Sequence, residues 1–182
     1  MKKSVAILFA FIISQFHAQQ GAYYQQSAKY KMDIDVNAEK FTYEGKQTLD
    51  YKNNSPDELN VVYFHLYWNA FKPNSMMDQR VAGQGKNGDS RLQKDGVSRL
   101  ASIPKDQEGA QNIHWIKQNG KTLKFEVQET IMKVYLAEPI KPNSSTTFTL
   151  EWDAVIPQQI RRSGRNNREG VDMTMTQWYP KI

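Results

Sequence analysis

The strongest constraint on how this chain folds is the return of apolar residues at every second position, which begins near Ser27 and recurs downstream. Successive side chains of an extended chain point to opposite faces, so period two marks strands with one buried face. Tyr30, Met32, Ile34 and Val36 alternate with Lys31, Asp33, Asp35 and Asn37. In the next run Phe41, Tyr43, Gly45, Gln47, Leu49 and Tyr51 share one side, and residues 37–40 join the two runs as a hairpin-like turn. Asn53-Asn54-Ser55-Pro56-Asp57 is a turn cluster, each residue favouring local side-chain bonds or a fixed φ. The denser run after it, with Val61, Val62, Phe64, Leu66 and Trp68, predicts a central strand covered on both faces.

Between residues 71 and 111 the pattern stops. Gly83, Gly85, Gly88, Gly96 and Gly109 lie among many charges, which predicts a long excursion or a pair of short helices. Asn74 or Ser75 can cap a helical turn over residues 74–80. Strand character returns at residues 113–117. Asn119-Gly120 marks a tight hairpin, and Leu123, Phe125 and Val127 alternate beyond it. Met132, Val134 and Leu136 make another strand, which Pro139 and Pro142 should break. Phe148, Leu150, Trp152, Ala154 and Ile156 form the longest alternation of the second half, and Pro157 ends it. Residues 161–170 read as a polar loop, and residues 171–179 as a last strand with Met173, Met175 and Gln177 on one face. About eight strands and little helix predict an all-β fold, an antiparallel two-sheet sandwich with a long irregular central loop.

Residues 1–18 read as an export signal: Lys2 and Lys3, an apolar run over residues 5–13, and a cleavage site after Ala18. The apolar run is half the roughly twenty residues that a membrane crossing needs. The expectation is a periplasmic or secreted β-domain over residues 19–182 with no membrane contact after signal removal. Loss of Lys2 and Lys3 lowers the formal charge from +5 to +3, with much of the excess at Arg161, Arg162, Arg165 and Arg168, so no broad basic stripe exists for nucleic acid. The chain has no cysteine, which excludes disulfides, thiolate metal sites, cysteine nucleophiles and a lipid-modified cysteine anchor.

Catalytic constellations are scarce. Of three histidines, His17 lies in the signal, and neither His65 nor His114 opens a His-Glu-x-x-His helix. Both fall inside strand patterns, where a histidine is usually structural. No glycine-rich phosphate loop and no Gly-x-Ser-x-Gly elbow is present. Asp33 and Asp35 share the outward face of a half-buried strand and read as solvated. The arginine loop reads as an exposed turn, with anion binding as the functional alternative. The chain therefore offers no catalytic residue and no metal ligand set of its own.

Several phrases, in order, carry a resemblance. Tyr30-Lys31-Met32-Asp33-Ile34-Asp35-Val36 followed by Phe41-Thr42-Tyr43-Glu44-Gly45-Lys46 is similar to the opening hairpin of aminopeptidase N-type zinc peptidases. Residues 59–66 resemble the third strand of that domain. Leu136-Ala137-Glu138-Pro139-Ile140-Lys141-Pro142-Asn143-Ser144 with Phe148-Thr149-Leu150-Glu151-Trp152 resembles its later hairpin. The resemblance implies a saddle-like amino-terminal β-domain that packs over a separate catalytic domain holding the zinc. Residues 19–182 are then a non-catalytic piece without a cofactor of its own, with zinc belonging to the parent enzyme. Gln177-Trp178-Tyr179-Pro180 matches a family pattern of Gln, aromatic, any residue and Pro, with Tyr179 where many relatives have Glu. It implies that Gln177 holds the free amino terminus of a peptide substrate. Without its catalytic domain, the fragment should leave an apolar face uncovered at Met173, Met175 and Trp178. The alternative is a self-contained secreted β-sandwich that binds carbohydrate or protein.

Overall fold

The computed structural model describes residues 23–158, 163–167 and 169–182. The signal assigned to residues 1–18 lies outside the described residues, as do Arg161, Arg162 and Arg168. The first two strands, β1 (Ser27–Asn37) and β2 (Thr42–Lys52), pair antiparallel from Ser27 opposite Lys52 to Asn37 opposite Thr42. The four-residue turn between them is shaped by Asn37, whose Oδ1 accepts from the Lys40 amide at 2.9 Å, and by Phe41 at φ 55°. On β2 the alternation is realised in full: Tyr43, Gln47, Leu49 and Tyr51 are buried and Glu44, Lys46 and Asp50 exposed. β1 is an edge strand, so its apolar residues are only partly covered and Val36 is exposed.

β3 (Leu59–His65) differs from the expectation of a doubly covered central strand. It pairs with one other strand only, and Val62 and Phe64 are buried while Tyr63 faces out. The rest of the dense run, Leu66 and Trp68, is buried because the chain leaves the strand and winds into a 3-10 turn at Tyr67–Phe71. The central excursion is ordered. Its helix α1 (Met76–Gln84) starts at Ser75, whose Oγ accepts from the Asp78 amide at 3.2 Å. A short ribbon, β4 (Gln93–Lys94) with β5 (Val97–Ser98), follows, and Val81, Leu92, Leu100 and Ile103 carry the core beneath it.

β6 (Ala110–Gln118) turns through Asn119 (φ 48°) and Gly120 (φ 85°) into β7 (Lys121–Thr122). Two consecutive positive φ values are the backbone of a type I′ hairpin, which an Asn-Gly pair adopts readily. The chain then changes sheets. Leu123 is buried at the corner, and β8 (Lys124–Gln128) pairs with β9 (Ile131–Ile140) in the other sheet. Pro139 does not end β9, because the ladder to β3 shifts register between Leu59 and Val61 and the proline falls in the unpaired stretch. Gln118 holds that stretch: its Oε1 accepts from the amides of Ala137 and Glu138 at 3.0 and 3.1 Å.

β10 (Ser145–Val155) runs through the middle of the larger sheet, whose order is β1-β2-β10-β6-β7. The smaller sheet is β3-β9-β8. Phe148 of β10 meets Phe64 of β3 edge to face at 6.1 Å, and one hydrophobic cluster joins both sheets. The fold is therefore all-β and antiparallel, two facing sheets with a long central excursion. The expected strand over residues 171–179 is reduced to β12 (Met173–Thr174), paired with β11 (Gly164–Arg165). Residues 175–182 leave regular structure because they bind the core through side-chain donors instead of a ladder.

Candidate functional site

Residues 176–182 form a strap fastened to both sheets. Trp68 Nε1 donates to the Thr176 carbonyl at 3.0 Å. The Trp178 carbonyl accepts from the Tyr43 hydroxyl and from Gln111 Nε2, the latter at 2.6 Å. Gln47 Nε2 donates to the Pro180 carbonyl at 3.3 Å. All four donors are at most 2% exposed, so each needs a partner inside the protein, and every second carbonyl of the strap supplies one. Lys181 adds a two-way backbone bridge to His65 at 2.7 and 3.2 Å, which closes part of the free edge of β3. Burial raises the Tyr43 hydroxyl above the ordinary phenol range, so it stays protonated and able to donate.

The aromatic residues fix the strap laterally. The Trp178 ring stands edge-on to Tyr43 at 5.8 Å and to Tyr179 at 5.2 Å, and Tyr179 meets Tyr30 at 5.3 Å. Met173, Met175 and Trp178, expected as an uncovered apolar face, are partly buried against the domain's own core. Ser163 holds the other end. Its Oγ accepts from the Thr176 amide at 2.7 Å and lies 2.6 Å from the Thr176 carbonyl.

Gln177 sits between the two tethered residues with φ 53°. A left-handed backbone is disfavoured for a residue with a Cβ, by on the order of 1–3 kcal/mol, and persists where flanking contacts over-determine it. Here Thr176 and Trp178 do so. The side chain is exposed and makes no hydrogen bond among the described residues. It lines a cleft of about 620 Å³ whose other walls include Tyr67, Phe71, Met77 and Thr130. The sequence reading placed Gln177 on a strand, but β12 ends at Thr174. Of the donors that hold the strap, Gln47 carried only a faint signal, a polar residue at a position that the alternation assigns to the core, and Gln111 fell in the stretch without a pattern.

The other candidates are scattered. His65 stacks on Tyr67 at 5.0 Å, and His114, at the bulge between β6 and β10, pairs with Asp153 at 2.8 Å. Asp33 and Asp35 are exposed on β1. Arg165 contradicts the reading of its loop as an exposed turn. It is 8% exposed, its guanidinium 4.9 Å over the Phe41 ring, because β11 folds back onto the turn that presents Phe41. Among the described residues no group of three or more His, Asp or Glu side chains could hold a metal ion, so these residues do not fit zinc.

No family model and no curated protein matches the chain. Among solved structures it is similar to M1 zinc metallopeptidases. A two-domain M1 zinc metallopeptidase mutant bound to L-tryptophan is 14% identical, covers 87% of this chain and gives a TM-score of 0.48. The M1 zinc metallopeptidase from Deinococcus radiodurans is 12% identical, covers 84% and gives 0.49. A mutant of that protein bound to a Tyr-Ser-Ala substrate is 13% identical and gives 0.48. The chain spans 26% to 27% of the length of these proteins.

Proposed function

We propose that this chain is the amino-terminal, non-catalytic β-domain of a zinc aminopeptidase of the aminopeptidase N type, exported to the periplasm or secreted. In this reading it packs over a catalytic domain that carries the zinc and helps to line the active site. Gln177 receives the free amino terminus of the peptide. The observation that carries the proposal is the combination of the Gln177-Trp178-Tyr179-Pro180 pattern with a strap that presents Gln177, unpaired and at φ 53°, at the wall of a cleft. An amide oxygen suits the task, since it accepts from an ammonium without adding a charge that must be buried.

Reading the encoding gene downstream for His-Glu-x-x-His within a few hundred codons tests the domain assignment; a stop codon directly after Ile182 would overturn it. In the full enzyme, Gln177→Ala should lower the specificity constant for peptides with a free amino terminus by about ten- to a hundred-fold, the worth of one hydrogen bond to a charged group. Amino-blocked substrates should lose much less. Equal losses on both would remove Gln177 from the site.

A further inference from the structure

Away from the strap, the central excursion builds a second cleft, of about 650 Å³. Its floor is tied together by Gln93, which is 6% exposed. Gln93 Nε2 donates to the Gly88 carbonyl at 3.0 Å, and its Oε1 accepts from the Gly96 amide. Gly96 stands at φ 87°, and a Cβ there would come within 3.3 Å of the Lys86 backbone nitrogen, so the wall is main chain at close approach. The Arg99 amide is fixed to the Leu92 carbonyl at 2.9 Å, with Leu92 and Leu100 buried.

Into this frame Lys86, Lys94 and Arg99 bring three positive charges, and Asp95 is the one carboxylate lining it among the described residues. None of the three cations makes a salt bridge among the described residues. Elsewhere on the surface opposite charges face each other: Lys46 lies between Asp33 and Glu151 across three strands, Lys121 pairs with Glu138, and Arg91 with Asp89. Three cations that line one cleft without an ion-pair partner among the described residues give it a positive potential, which an anion would neutralise. Ser90 adds a hydroxyl donor at the rim.

We propose that this cleft binds a tetrahedral oxyanion, the phosphate or sulfate group of a small ligand. A guanidinium fork with two ammonium groups and a hydroxyl offers more donors than acceptors, which suits an oxyanion carrying several acceptor oxygens.

The test is an amide-shift titration of the full chain with sodium phosphate and with sodium sulfate, each against sodium chloride at matched ionic strength. Saturable shifts at Gly88, Ser90, Gly96 and Arg99 with either oxyanion support the site, and the stronger of the two names the source. Lys94→Gln combined with Arg99→Gln should weaken binding about ten-fold or more while the thermal midpoint holds. If the double variant unfolds, Lys86→Gln alone serves the same purpose with a smaller loss. Shifts that grow linearly and match those with chloride, or binding unchanged in the folded variants, overturn the proposal.

Discussion

Gly45 stands directly across from Trp152 in the β2–β10 ladder, and any Cβ there would lie within 2.5 Å of the indole ring. Trp152 is fully buried and cannot retreat, so Gly45→Ala should cost roughly 1–3 kcal/mol through overpacking. Denaturant midpoints of the two proteins check this; an unchanged midpoint would show that the ring has room to move. Tyr43 gives a prediction in pH. Burial raises its hydroxyl above the ordinary 10.0, and burial raises Tyr30 and Tyr51 in the same direction. Above pH 10 the unfolded phenol loses its proton while the native one keeps it, so the unfolded state binds fewer protons and stability falls as pH rises. Below pH 10 the contribution is complete. Tyr43 alone accounts for about 1.4 kcal/mol per pH unit in that window. Tyr43→Phe should flatten this alkaline decline and, by removing the donor to Trp178, lower stability near neutrality by about 1 kcal/mol. Urea unfolding at pH 8 and pH 11 would show both; an equal slope in wild type and variant would count against the buried hydroxyl.

At the scale of elements, Ser163 decides how firmly the strap presents Gln177. Ser163→Ala removes the acceptor of the Thr176 amide, and exchange at that amide should speed up about ten-fold, the effect of roughly 1.4 kcal/mol on local opening. The Gln111 amide, bonded to Asn69 at 2.9 Å, is the internal control and should not change. Uniform acceleration at both amides would mean global destabilisation instead of a loosened strap. The same elements show which parts of the fold the sequence makes legible. β2 and β10 are read residue by residue, since their alternation meets one core with no competing demand. β3 is misread because apolar density alone does not separate a doubly covered strand from an edge strand that runs into a buried turn. Residues 175–182 are misread for a different reason. Met173, Met175 and Gln177 keep period two, but the strap satisfies its carbonyls with Trp68, Tyr43, Gln111 and Gln47, partners up to 135 positions away in the chain. The left-handed backbone of Gln177 follows from contacts that no local window contains.

For the whole molecule, the strap is where the two sheets share a single set of contacts. Tyr43 and Gln47 belong to β2 and Gln111 to β6, all in the larger sheet, while His65 ends β3 in the smaller one. All bind within seven residues of chain. Ordering those residues costs roughly 1–2 kcal/mol each in backbone entropy. The hydrogen bonds and the partial burial of Trp178, Tyr179 and Ile182 must exceed that cost for the strap to dock, leaving a net of a few kcal/mol, on the order of 2–5. A chain shortened to end at Met175 should therefore melt about 5–15 °C lower. It should also expose the Tyr43 and Trp68 rings, now 1% and 0% exposed, and associate through them. Circular dichroism melting and size-exclusion chromatography measure the two effects. Loss of melting temperature without association would mean that the sheets close over the gap; association at an unchanged melting temperature would mean that the strap only covers the core. If neither changes, the strap contributes nothing to holding the sheets together, and the anchoring of Gln177 would need another source.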